Sequence, residues 1–271
     1  MELLDSFLLG LIQGLTEFLP ISSSGHLVLG EAVLGGELDK NITFEVVVHF
    51  GTLCSILIYY RAKIADIFRS WLKVPGSSHT LSKHWKTDPN LKLTWFVLLS
   101  MIPALIVGLT LKDQIENIFL NPFMVSIMLL VTGLILFLTR FRDSFPNHLN
   151  NGSAFGIGLA QAFAILPGIS RSGSTISLGL YLGIKRKEVA DFSFLMVIPV
   201  IAGAMLLEVK EMLEVGIALN DAITLVVGFF TAFISGYFAL KFLIILLQNK
   251  GIHPFAWYCW ILGIVGLVYF W

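Results

Sequence analysis

Five ionisable side chains sit inside otherwise apolar stretches of this chain: Glu17, His26, Glu45, His49 and Arg171. Charges at membrane depth are expensive, so they pair with one another or serve an ion or substrate. Two short runs carry most of them. The first reads Gln13-Gly14-Leu15-Thr16-Glu17-Phe18-Leu19-Pro20-Ile21-Ser22-Ser23-Ser24-Gly25-His26, and the second Pro167-Gly168-Ile169-Ser170-Arg171-Ser172-Gly173-Ser174-Thr175. On a helix Gln13 and Glu17 fall at i, i+4 on one face, as do Glu45 and His49. Ser23 and His26 fall at i, i+3, so hydroxyl and imidazole can point into the same space. Each run breaks a helical pattern and then starts another. That sets unpaired helix N-terminal N–H groups, with their partial positive charge, beside the charged side chains. Ser22, Ser24, Ser170 and Ser172 can cap those helices or donate hydroxyls to a ligand. Arg171 adds a planar fork suited to two phosphate oxygens. Gly25, Gly168 and Gly173 permit close backbone approach. A hydroxyl beside a base, a carboxylate able to hold a metal and an arginine facing them are the parts of a phosphoryl-transfer site, here built for an anion.

Blander roles compete. Ser24, Ser172 and Ser174 serve equally well as caps or packing. Glu45 and His49 can support the site from behind, relay protons or simply satisfy each other. A purely structural cluster of Glu17, His26 and Arg171 would be a costly use of three charges in lipid.

The elements that position these residues belong to a membrane protein. Of 271 residues 56% are apolar and 13% charged, where soluble domains carry roughly 25% charged residues. The mean hydropathy is +0.84. Eighteen basic and eighteen acidic residues cancel, which gives no footprint for nucleic acid. Cys54 and Cys259 lie in apolar runs, as small packed hydrophobes do. The first residues carry acids and no base, unlike a removable signal peptide.

The expected fold is an all-α polytopic membrane protein forming a single integral domain. Six stretches are long enough to span the bilayer: 43–60, 92–111, 122–139, 190–207, 222–247 and 254–271. Four shorter pieces, 3–19, 25–34, 154–166 and 173–184, pair around the two polar runs as re-entrant helix–loop–helix hairpins. Irregular backbone at that depth must be buried in protein or line a wet cavity. Adding 148 maps Gln13 onto Gln161, Ser22 onto Ser170, Ser24 onto Ser172, Gly25 onto Gly173 and Phe44 onto Phe192. Later an offset of 132 maps Asn121-Pro122-Phe123 onto His253-Pro254-Phe255. Each half, 1–150 (hairpin 3–34) and 151–271 (hairpin 154–184), is then one hairpin plus three spans. An odd number of spans makes the repeat inverted, a plan shared with transporters.

Basic residues set the orientation. Arg61, Lys63, Arg69, Lys73, Lys83, Lys86, Lys92, Arg140, Arg142, Lys185, Arg186, Lys187, Lys241 and Lys250 fall on one, cytoplasmic, side. Only Lys40, Lys112 and Lys210 fall on the other. Both termini and the pocket mouth then face outward. The segment 61–92 reads as a solvated loop, and Trp257, Tyr258, Trp260, Tyr269 and Trp271 as interfacial anchors.

The first run resembles the Glu/Gln-x-x-x-Glu region of the undecaprenyl-diphosphatase (bacitracin-resistance) family, and the second is similar to that family's Pro-Gly-x-Ser-Arg-Ser-x-x-Thr signature. The likeness extends over essentially the whole chain. It implies hydrolysis of undecaprenyl diphosphate to the monophosphate, in a bacterial inner membrane, with recycling of the peptidoglycan carrier lipid. It also implies a divalent cation (Mg or Ca) with Glu17 and Gln13 as metal ligands, position 13 being an amide here where the family admits either residue. By position Glu17, His26 and Arg171 match essential residues and Ser23 a proposed nucleophile. Thr175 joins Ser22, Ser24, Gly25, Ser170 and Ser172 as a substrate contact. The expected partners are a polyprenyl diphosphate lipid and the bilayer; the reading leaves room for a homodimer. A phosphoserine, a phosphohistidine and direct attack by water all stay open. The rival reading is a transporter or flippase of an anionic polyprenyl phosphate lipid; a Ser/His/Glu/Arg set exceeds what binding alone requires.

Overall fold

The computed structural model describes residues 3–34, 42–74, 87–111, 114–115, 118, 121–142, 147–215 and 222–271. The side chains of Glu31, Leu34, Ile42, Glu45, Ala204, Leu207, Glu208 and residues 210–215 lie outside that description, as do Lys40, Lys83, Lys86 and Lys112 altogether.

Eleven α-helices are described: α1 (Leu3–Phe18), α2 (Ser23–Leu34), α3 (Ile42–Tyr59), α4 (Arg61–Leu72), α5 (Pro89–Thr110), α6 (Pro122–Leu138), α7 (Asn151–Phe163), α8 (Arg171–Tyr181), α9 (Arg186–Val215), α10 (Ala222–Asn249) and α11 (Phe255–Tyr269). Among the described residues the only β pairing is an isolated bridge between Asn147 and Ile184. Three stretches are long and apolar enough to cross a membrane: Pro89–Thr110, Pro122–Phe141 and Ala222–Asn249. Val46–Tyr59 and Phe255–Tyr269 are shorter apolar helices. The loop expected over 61–92 is in part a helix: α4 follows α3 after a single residue, Tyr60. Its apolar residues recur at helical spacing between the charges, a pattern hidden by reading the segment for charge alone.

Helix starts follow local chemistry. Asp88 accepts the Asn90 N–H at 2.8 Å, with Pro89 opening α5. Asn121 accepts the Met124 N–H at 3.1 Å, with Pro122 opening α6. Asn150 and Ser153 form a reciprocal capping box at α7.

The first helix of each half lies against a long helix of the other half: α1 packs on α10, and α7 on α5. Small residues bring the backbones together. A Cβ at Gly10 would stand 2.7 Å from the Gly228 carbonyl oxygen, and one at Gly14 2.6 Å from that of Ala232. On α7, a Cβ at Gly158 would stand 2.8 Å from the Ser100 Cα on α5. Without a hydrophobic drive between helices in lipid, such close approach is what holds them. α3 packs between α10 and α9, and α6 runs along α11. The core gathers Phe18, Ile56, Phe192, Met196, Leu240 and Leu243, all buried. Phe230, Phe238, Ile261 and Val268 face outward, as lipid permits and water would not.

Two breaks interrupt this packing. Pro20 supplies no N–H to continue α1, and Ser22 turns the chain with φ at 68°. After α7, Gly168 does so at φ 90°. Positive φ is open to glycine and costly for serine, so the first break stores strain where the second does not.

Candidate active site

The two breaks touch. A Cβ on Gly25 would lie 3.2 Å from the Gly168 Cα. Beyond each break the serines repeat one geometry. Ser22 Oγ accepts the Gly25 N–H at 3.2 Å and lies 3.3 Å from Ser24 Oγ. Ser170 Oγ accepts the Gly173 N–H at 3.1 Å and lies 3.3 Å from Ser172 Oγ. All these atoms correspond under the 148-residue offset. Thr132 of α6 pins the second break: its hydroxyl donates to the Gly168 carbonyl at 2.8 Å and accepts the Ser170 N–H at 3.1 Å. The Ser172 hydroxyl reaches the Leu19 carbonyl of the first break at 3.4 Å.

The N-termini of α2 and α8 thereby converge on one carboxylate. Arg171 Nη2 pairs with Glu17 Oε1. Ser23 Oγ donates to Glu17 Oε2 at 3.0 Å, and Gln13 Nε2 donates to the same oxygen at 3.1 Å. Residues 154 positions apart in sequence are thus in direct contact.

This cluster forms one end of a cavity of about 710 Å³. Glu17, Ser22, Ser23, Ser24, Ser170, Arg171 and His49 line its polar end, and Gln161 joins them. The remaining wall is apolar and comes mainly from α5 (Met101, Leu105, Leu109) and α9 (Val200, Ile201, Leu206). An anion-binding end opening into an apolar slot suits an amphiphile with a charged head.

Several expected residues stand elsewhere. His26 does not share a space with Ser23. Its Nδ1 lies 2.7 Å from the Ser22 carbonyl oxygen, its Nε2 lies 2.7 Å from the Tyr258 hydroxyl, and its ring stacks on that of Tyr258. One helical turn after Ser23, the ring is drawn to the α11 side by these two partners, and it does not line the cavity. Thr175 is buried, donating to the Arg171 carbonyl at 2.8 Å and sharing a hydrogen bond with Ser193 at 2.6 Å. Ser172 and Gly25 sit at the junction of the breaks, off the cavity wall. The side chain of Glu45 lies outside the described residues.

Among the described residues no three His, Cys, Asp or Glu side chains group as a metal cage. Among the described residues Glu17 is the one carboxylate on the cavity wall, and the buried Gln13 Oε1 has no hydrogen-bond partner. That donor set, hard oxygens around one carboxylate, fits a magnesium-type ion completed by substrate phosphates, not a dedicated protein cage.

Residues 6–265 match the family model described as bacitracin resistance protein BacA. The chain belongs to this family. Relatives named undecaprenyl-diphosphatase extend along its full length. One from Methanobrevibacter smithii is 38% identical over 98% of this chain and 96% of its own. One from Bacteroides fragilis is 42% identical, covering 99% and 98%, and one from Desulfosudis oleivorans is 43% identical, covering 98% of each. In and around the candidate site of this BacA-family chain the structure places three residues that motif reading passed over. Tyr258 was hidden in an aromatic stretch, Thr132 in an apolar helix, and Gln161 appeared only as the repeat counterpart of Gln13.

Proposed function

We propose that this chain hydrolyses undecaprenyl diphosphate to undecaprenyl phosphate and inorganic phosphate, the activity its relatives are named for. The observation that carries the mechanism is the Ser23 hydroxyl donating to Glu17 beside Arg171, at the head of an apolar slot. The diphosphate enters against the N-termini of α2 and α8, and the isoprenyl chain extends along α5 and α9. Arriving phosphate oxygens compete for the Arg171 fork and release Glu17. Glu17 then takes the Ser23 proton as Oγ attacks the terminal phosphorus. The Oγ–P bond forms, the bond to the bridging oxygen breaks, and undecaprenyl phosphate leaves with that oxygen. Glu17 passes the Ser23 proton to the departing phosphate oxygen, then deprotonates the water that frees phosphate from Ser23 and returns the proton to Ser23 Oγ. Arg171 and the two helix N-termini hold the charge that builds on phosphorus. Glu17 and Gln13 would hold a divalent cation, which when bound neutralises phosphate charge. His26 positions the α2 N-terminus through the Ser22 carbonyl.

The same reading makes the helix pairs α1–α2 and α7–α8 re-entrant hairpins within an inverted repeat of six spans. Both termini and the pocket mouth face outward in a multi-pass inner-membrane protein. The basic-residue asymmetry and the paired serine geometry support it. Phosphate release from purified protein given undecaprenyl diphosphate, with and without chelator, tests the activity; no release in excess magnesium or calcium refutes it.

A further inference from the structure

Gln161 closes α7 and lines the cavity that holds Glu17 and Arg171. It is 2% exposed, and neither Nε2 nor Oε1 has a hydrogen-bond partner among the described residues. A buried amide with both ends unpaired is a standing cost to the fold. The repeat shows how it arises. Gln13, its counterpart, donates to Glu17 four residues on. Four residues after Gln161 the chain carries Ile165, which cannot accept. The second half therefore carries the amide without a carboxylate four residues on to occupy it. Gln161 is among the residues that line the cavity also lined by Ser170 and Arg171.

We infer that Gln161 is a further substrate-binding residue, its Nε2 donating a hydrogen bond to a phosphate oxygen of the lipid diphosphate. The inference rests on the phosphatase reading for its ligand. A donor suits this position because the ligand is anionic and acceptor-only, and because a neutral amide adds a hydrogen bond without a second uncompensated charge. The contact is made by the bound head group before and during reaction, so it acts on binding more than on turnover.

The test uses the full-length protein in detergent with undecaprenyl diphosphate. Gln161→Leu should raise KM about tenfold with kcat little changed, the effect of one lost hydrogen bond to a charged group. The same variant should melt at or above the wild-type temperature, because an unpaired amide has been replaced by an apolar side chain. A purely structural glutamine would not combine a weaker KM with an unchanged or higher melting point. Gln161→Glu should be worse than Gln161→Leu, since a carboxylate there repels the diphosphate. Wild-type KM in Gln161→Leu, or a Gln161→Glu variant as good as the wild type, overturns the assignment; the second result would place a cation at Oε1. A parallel melting shift on adding undecaprenyl diphosphate reads binding without chemistry. Wild-type protein that shifts but releases no phosphate refutes the phosphatase reading alone, and a smaller shift in Gln161→Leu then still supports the contact. Wild-type protein that neither shifts nor turns over sinks both.

Discussion

The proposed mechanism makes Ser23 and Glu17, joined by a hydrogen bond, one catalytic unit, and a mutant cycle measures whether they are. General-base assistance contributes about 10²- to 10⁴-fold, or roughly 3 to 5.5 kcal/mol at 1.36 kcal/mol per tenfold. Ser23→Ala removes the nucleophile and should lose at least that much in kcat. It breaks one half-buried hydrogen bond, so its stability should fall by only about 1 kcal/mol. Glu17→Gln should lose a similar factor in rate but also leave Arg171 facing a neutral amide. Breaking a buried pair costs about 3–5 kcal/mol, so its melting point should drop visibly. The double variant should turn over little slower than either single one, because residues acting as a unit are strongly non-additive. The assay is single-turnover phosphate release in detergent, with melting curves on the same preparations. Acid quenching of wild-type enzyme with substrate labelled in the terminal phosphate should trap label on Ser23. Rate losses that multiply in the double variant, or label on His26, would refute the assignment of Glu17 as the base for Ser23.

Arg171→Lys should fail nearly as badly as Arg171→Ala in phosphate release, because an ammonium cannot reproduce the two-pronged contact; a fully active lysine variant refutes that geometry. Thr132→Val, nearly isosteric, strands the Gly168 carbonyl and the Ser170 N–H. At about 1–3 kcal/mol for each unpaired buried group, it should lower the melting point and turnover together, whereas a wild-type melting curve would show that Thr132 does not hold the break. Single cysteines at positions 73 and 214 should label from opposite sides with an impermeant maleimide, and labelling of both from outside would overturn the proposed orientation.

Much of this arrangement was readable from residue order. Pro20 and Pro167 marked the breaks because a missing N–H and a constrained φ act locally. Ser22 and Ser170 were legible as residues able to cap or to touch a ligand, because a capping Oγ and the N–H it accepts are three residues apart. The meeting of Glu17 with Arg171 was foreseeable only through the repeat, which converts a distant pair into corresponding loops. The facing of His26 was not readable. Helical spacing gives the side of a helix on which a residue starts, but the ring is turned by Tyr258, more than two hundred residues away. Thr132 was silent for the same reason: a lone hydroxyl in an apolar helix most often bonds its own backbone, and only tertiary packing redirects it to the break. The helix over 61–72 was obscured by its charges, which served topology and helix alike.

The exchange of first helices between the halves sets a timetable for biogenesis. Gly10 and Gly14 find their seats on Gly228 and Ala232, so the amino-terminal helix waits while the intervening chain is synthesised. At about 5–20 residues per second, that wait is on the order of ten to forty seconds. Throughout it Glu17 has no Arg171 until the second break is made, and even then no finished wall behind α1. A ribosome that stops early therefore leaves no half-working hydrolase in the membrane, only helices with small-residue faces uncovered.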